Sequence, residues 1–296
     1  MATETTRSVR FLALLALPAL VACSAGAVEE SGDTEVLASF YPLQYVVEQV
    51  GGDRVSVTNL TPPGADPHSL ELSPRQVDDI GSADLVVYLA GLQAATDDAV
   101  ATAPPEYLVD TAAAAGLTGD PDEARTLDPH FWLDPTRLAD VGQQVAEALS
   151  AADAEHAQTY RQNAATLEAE LDALDREYAD GLAHCAGATL VVSHEAFGYL
   201  ADRYDLVQVG ISGLNPEAEP SPARLREVAE VVAAADVRTL FFEVLTSPKV
   251  TQTLADDLGV ATAVLDPVEG QTDPDADYVD VMRANLAALG EGLVCG

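Results

Sequence analysis

Four residues of this chain combine metal-ligand or acid–base chemistry with comparable positions: His68, His130, His194 and Asp266. Each stands where an apolar, strand-like run ends or in the loop that leaves one. The gaps between them are 62, 64 and 72 residues, far from the short spacings of zinc-finger sites. Residues so dispersed meet only if a fold gathers four loops in one place. Open parallel sheets do this, because they bind ligands outside the carboxyl ends of their strands. Three imidazoles and one carboxylate form a borderline nitrogen/oxygen set that suits zinc, copper or nickel, whereas manganese favours more oxygen. Four protein ligands close a tetrahedral zinc site and leave no position for a substrate water. Taken singly, each residue also has a plainer reading. His68 beside Pro67 could be a turn residue, His130 could pack on Trp132, His194 could be a core histidine, and Asp266 before Pro267 could cap a turn. The signal is their joint placement. His156 fits a solvated helical position, and His184 a helix end where a cation suits the dipole.

The elements that must position these residues are written twice. "EVLASFYP", "VSVTNLTPPG", "DLVVYLAG" and "EYLVD" read as strands separated by helical or turn segments. After residue 185 the same order returns in "ATLVVSH", "LVQVGISGLNP", "VRTLFFEVL" and "ATAVLDP". Ser73-Pro74 and Ser221-Pro222, 148 positions apart, each read as a helix start, with serine as N-cap and proline at the first helical position. Strands alternating with helices imply parallel sheets, so the chain predicts two α/β lobes. Between them a helical period dominates. Asp134-Pro135 opens one helix, and a second is expected from about Ala152 to Ala183, on the order of 45 Å long. The loop "TLDPHFWLDP" holds His130 and the only tryptophan. Trp132 is expected to pack behind His130 as a donor-only indole that cannot itself be a ligand.

Composition narrows the function. The 296 residues carry 49 Asp+Glu against 14 Lys+Arg, a formal net charge of −35, which speaks against a nucleic-acid partner. Arg7 and Arg10 precede the apolar run Phe11 to Cys23, too short to span a bilayer and typical of a signal-peptide core. "LVAC" at its end resembles a lipobox, with cleavage before Cys23 and lipid on its thiol. A polar tether follows. In an oxidising compartment the two remaining cysteines, Cys185 and Cys295, read as one disulfide.

Together, "ADPHSLELSP", "DPHFWLDP", "VVSHEAFGYL", "GLNPEAEPSP" and "LDPVEG" resemble the solute-binding lipoproteins of zinc and manganese ABC importers, the ZnuA/TroA-like group. The resemblance implies an α/β fold of two parallel-sheet (β/α)4-like lobes bridged by one long rigid α-helix, with metal in the cleft. It implies His68, His130, His194 and Asp266 as the ligands. Manganese-binding members carry glutamate at the position of His194, so histidine there points to Zn(II) as the transported ligand. The long His-rich loop of many zinc members is replaced here by a short acidic segment, 116–128, without histidine.

The expected organisation is a signal peptide (1–22), a lipid-anchored tether (23–33), an N-terminal lobe (34–150), a linking helix (151–184) and a C-terminal lobe (185–296). The expected function is high-affinity Zn(II) capture at the extracytoplasmic face of the cytoplasmic membrane, by a monomer that passes the metal to an ABC-type permease. The alternatives are a Mn(II)/Fe(II) carrier of the same fold, a zinc hydrolase or an adhesin. Neither HExxH nor GxSxG occurs, and no enzyme activity is expected. On this reading His194→Glu shifts metal preference towards manganese. Parallel zinc and manganese titrations check it, and unchanged selectivity would contradict it.

Overall fold

In the computed structural model, residues 1–3, 33–117, 128–245 and 247–295 are described. All but the first three residues of the expected signal segment, Cys23, nearly all of the tether and residues 118–127 of the acidic loop lie outside them. The first lobe runs β1 (Thr34–Ala38), α1 (Tyr41–Gly51), β2 (Val55–Asn59), α2 (Pro74–Ser82), β3 (Leu85–Tyr88), α3 (Ala94–Thr102) and β4 (Tyr107–Asp110). Two helices follow, α4 (Pro135–Ala152) and α5 (Ala157–Gly181). The second lobe runs β5 (Thr189–Val192), α6 (Gly198–Arg203), β6 (Val207–Gly210), α7 (Pro222–Ala234), β7 (Thr239–Phe242), α8 (Lys249–Leu258), β8 (Ala261–Val264) and α9 (Tyr278–Gly292).

Both sheets are parallel, with orders β2-β1-β3-β4 and β6-β5-β7-β8. The repeat seen in the sequence is therefore a repeat of topology. In each lobe the first strand lies inside the sheet, so its carboxyl end faces the middle of the molecule's ligand-binding edge. The Ser-Pro helix starts form as expected. Ser73 Oγ accepts from the Gln76 N–H at 3.3 Å and the Gln76 side chain accepts from the Ser73 N–H at 3.0 Å, a complete capping box. Ser221 Oγ accepts from the Arg224 N–H at 3.1 Å.

The linking helix is separate from α4, as expected, but shorter: α5 starts at Ala157 rather than about Ala152 and has 25 residues, which span roughly 37 Å at the helical rise. The break comes from Asp153. Its carboxylate accepts from His156 Nδ1 at 2.6 Å and from the Tyr160 hydroxyl at 2.7 Å, so side chains rather than helical carbonyls organise the turn. His156 is thus half-buried in a turn and not at the solvated helical position expected, while His184 lies just past the end of α5, near the helix end expected for it.

The buried stripe of α5 is Tyr160, Ala164, Leu167, Leu171, Leu174 and Tyr178, at alternating intervals of four and three. It packs mainly on α4, where Gly142 permits close approach: a Cβ there would sit 3.1 Å from Leu167. One core runs through both sheets and these helices, including Val36, Val87, Leu171, Leu190, Phe241 and Met282. The lobes are joined by shared interior as well as by a strut. Tyr178 donates to the Met282 carbonyl at 2.6 Å, and the Cys185–Cys295 disulfide ties the start of the second lobe to the end of the chain. Because Leu171 is fully buried in this shared core, Leu171→Ala is expected to cost about 2–5 kcal/mol. At the exposed neighbour, Asp172→Ala is expected to stay within about 0.5 kcal/mol. Urea unfolding compares them, and equal effects would contradict the packing role.

Candidate metal centre

Each histidine is held by a short local device at a strand end. His68 lies in a single 3-10 turn, Pro67–Ser69, beyond β2, and Asp66 Oδ1 accepts its N–H at 2.8 Å. His130 follows Asp128, whose Oδ1 accepts both the His130 N–H at 3.0 Å and its Nδ1–H at 2.7 Å. A second 3-10 turn, Phe131–Leu133, anchors this loop through three fully buried apolar side chains. His194 stands two residues past β5, and its Nδ1–H donates to Glu243 Oε1, which also accepts from the Ser193 hydroxyl. A carboxylate can only accept, so Asp128 and Glu243 fix the protons of His130 and His194 on Nδ1. Their Nε2 atoms are thereby turned towards the cleft.

The carboxylate that joins them is Glu269, which corrects the expectation for Asp266. The side chains of His68, His130, His194 and Glu269 each offer one donor atom, all within 4.8 Å of one another. Asp266 is committed elsewhere. Its Oδ1 accepts the Val268 N–H at 2.8 Å, its own N–H donates to Asn285 Oδ1 at 2.9 Å, and its carbonyl accepts from Asn285 Nδ2 at 2.6 Å. Val268 has φ 58°, a left-handed conformation that a β-branched residue adopts only under constraint. Asp266 holds that turn, and the turn delivers Glu269 into the cleft. Burial, with the nearby Glu269 and Glu243 charges, pushes the Asp266 carboxyl up to about 6.

The donor atoms form a cage. Glu269 Oε1 lies 3.2 Å from His68 Nε2, 3.0 Å from His130 Nε2 and 3.5 Å from His194 Nε2. His130 Nε2 lies 3.2 Å from His68 Nε2 and 3.4 Å from His194 Nε2. A tetrahedral ion with bonds of about 2.0–2.1 Å separates its ligands by about 3.3 Å, so these five pairs already stand near tetrahedral edges, and the sixth, His68 with His194, lies within 4.8 Å. Imidazole lone pairs this close repel unless a positive charge lies between them. In the metal-free site, protons supply it. Burial alone would lower both histidine pKa values, but hydrogen bonds to carboxylates outweigh it. His130 is held above its ordinary value by Asp128 and Glu269, and His194 rises to about 10 through Glu243 and Glu269. Burial opposes ionisation of Glu269, yet bonds to His130, His194 and His68 hold its carboxyl well below the usual range.

Trp132 supports the cage from behind, as its place beside His130 suggests. The two rings meet edge-on with centroids 5.2 Å apart. The indole N–H donates to the Pro267 carbonyl at 2.7 Å, and the Tyr278 hydroxyl donates to the Trp132 carbonyl at 2.5 Å. The loop carrying His130 is thus bonded directly to the loop carrying Glu269. Glu243 was within reach of sequence reasoning, because it is the first residue after β7, the same rule that singles out His194. Glu269 lies in the loop already marked by Asp266, but no spacing rule ranks it above the aspartate.

Residues 36–292 match the family model described as the periplasmic component A of the zinc-uptake complex, ZnuA. The chain belongs to the ZnuA family. It is 36% identical to the zinc-binding lipoprotein AdcA of Streptococcus pneumoniae serotype 4, over 94% of this chain and 59% of that protein. The chain thus spans about three-fifths of the AdcA relatives it matches. It is 30% identical to the high-affinity zinc uptake system protein ZnuA of Bacillus subtilis, over 91% of each chain. The fold also matches solved ZnuA-type structures. One is the Zn(II)-bound ZnuA-like domain of pneumococcal AdcA, with TM-score 0.76 and 34% identity over 88% of this chain and 99% of that one. Another is the laminin-binding protein Lmb of Streptococcus agalactiae, described as having adhesin and metal transporting activity, with TM-score 0.80, 33% identity and the same coverages. The two parallel-sheet lobes expected from the repeat, and the ZnuA-type fold implied by the resemblance, are the fold observed.

The proton count gives this ZnuA-family site a distinctive pH response. His194 has a folded pKa of about 10 against an ordinary 6.5, so its contribution to stability is complete below pH 6.5 and is lost as pH rises through about 10. Glu269 acts in the opposite sense: its contribution is present above its ordinary 4.5 and is lost as pH falls below it. Metal-free protein is therefore expected to melt at progressively lower temperature from about pH 6.5 to 10, with a shallower slope in His194→Gln. Thermal melts in chelator check this, and parallel slopes would contradict it.

Proposed function

We propose that this protein captures Zn(II) outside the cytoplasmic membrane and delivers it to an ABC-type permease. His68, His130, His194 and Glu269 serve as its ligands. The observation that carries the reading is the cage of three Nε2 atoms and one carboxylate oxygen, all within 4.8 Å of one another and with five of the six pairs near tetrahedral separation. Zinc takes four nitrogen and oxygen donors at this geometry, whereas manganese favours six with more oxygen. The outer carboxylates Asp128 and Glu243 raise the basicity of the ligating imidazoles, as is usual behind metal-bound histidine. Names of relatives over most of this chain, and the zinc-bound structure of one of them, support the same metal.

The mechanism is capture and handover without bond-making. Four protein donors leave no open position for an activated water, which separates the site from that of a zinc hydrolase. Three of the four donors are buried to about 1% exposure or less, while His68 remains 12% exposed. His68 is therefore the ligand through which zinc exchanges most readily with the outside. Lipid attachment at Cys23 would keep the loaded protein beside its permease, a reading supported by the "LVAC" pattern and the lipoprotein relative.

Glu269→Gln is expected to lower zinc affinity by at least about 10–100-fold, the loss usual for removing even an outer partner. Asp266→Asn keeps an oxygen to accept the Val268 N–H and is expected to lower it far less. Competitive zinc titration of the two variants checks the assignment. If Asp266→Asn is the more damaging, Glu269 is not the fourth ligand.

A further inference from the structure

A cavity of about 570 Å³ lies beside the cage, between the loop of Asp66 in the first lobe and the loops after β5, β6 and β7 in the second. Among the described residues four carboxylates line it, Asp66, Glu217, Glu219 and Glu243, against one cation, the exposed Lys249, which is the only lysine of the chain. Two of these acids are unusual. Glu243 is 2% exposed. Its Oε1 is engaged by His194 and Ser193, while its Oε2 is buried with no partner among the described residues. Asp66 repeats the pattern: Oδ1 caps the His68 N–H and Oδ2 is buried without a partner among the described residues. Each residue lines the cavity and supports a cage histidine with one oxygen, while its other oxygen is buried and uncommitted among the described residues. Buried carboxylate oxygens without donors are rare in folded proteins and call for a counter-charge.

We propose that this cavity is a second, weaker cation site, where a partly hydrated divalent cation rests against the free oxygens of Glu243 and Asp66 before it reaches the imidazoles and after it leaves them. The inference rests on the cage being the zinc site and adds the route to it. Oxygen-only donors suit a cation that has not yet shed its water, whereas the cage selects nitrogen ligation. Handover needs little movement, since Glu243 and Asp66 hold the residues that receive the ion. Glu217 and Glu219 contribute charge at the same wall without touching either histidine's supports.

The test is stopped-flow zinc binding to the metal-free full chain, with dissociation measured by chelator competition. Glu217→Gln/Glu219→Gln is expected to slow association several-fold and to slow dissociation by the same factor, leaving the equilibrium constant unchanged. A station on the path accelerates both directions, whereas the general field of a chain of charge −35 acts on association and affinity together. Asp66→Asn is expected to slow association further. Remote neutralisations, Glu168→Gln and Asp98→Asn, are the controls and are expected to leave both rates as in the unaltered protein. Cavity variants that match these controls would overturn the proposal, as would slowed association with unchanged dissociation. If the unaltered protein fails to bind zinc, the cage reading falls. If it binds with rates insensitive to the cavity, only this inference falls.

Discussion

Three imidazole nitrogens and one carboxylate oxygen converge within 4.8 Å of one another in the interior. This convergence is the constraint on which the rest of the structure depends. Two Nε2–Nε2 separations of 3.2 and 3.4 Å bring lone pairs into opposition unless a proton or a metal ion lies between them. Glu269 eases the problem by supplying the negative charge that makes a positive occupant favourable. It also creates a site whose empty form must hold protons and whose loaded form must release them. Metal and proton are competitors for the same lone pairs.

Such a cage persists only if its members cannot turn away. Asp128 and Glu243 each hold an imidazole by its far nitrogen, which sets both tautomer and ring orientation. Asp266 works at one remove. Its side chain stabilises the left-handed turn at Val268, and that turn aims Glu269. The bond from Trp132 to the Pro267 carbonyl then fixes the distance between the His130 loop and the Glu269 loop. These supports come from both lobes, and the common core through α4, α5 and α9 keeps them in register. Packing at that density resists small displacements, which suits a site whose donors must stay within a few tenths of an ångström of tetrahedral edges.

Much of this was determined by the sequence itself. Alternating apolar runs and paired Ser-Pro starts specify two parallel-sheet lobes of one topology, because strand and helix periods and N-cap chemistry are local properties. The three histidines were legible because each follows a strand, and parallel sheets present strand ends together. The aromatic partner of His130 was legible from its position two residues away. What only the tertiary structure decided is which carboxylate completes the cage. Asp266 and Glu269 share one loop and one charge, and their roles separate only through the backbone path. That path depends on a strained φ at Val268 and on Asn285, nineteen residues beyond Asp266. Where α5 begins after the expected break also depends on contacts, since Asp153, His156 and Tyr160 satisfy the helical pattern as well as they satisfy the turn. Local periodicity fixes the elements, but the choice between two neighbouring acids depends on hydrogen bonds made across the fold.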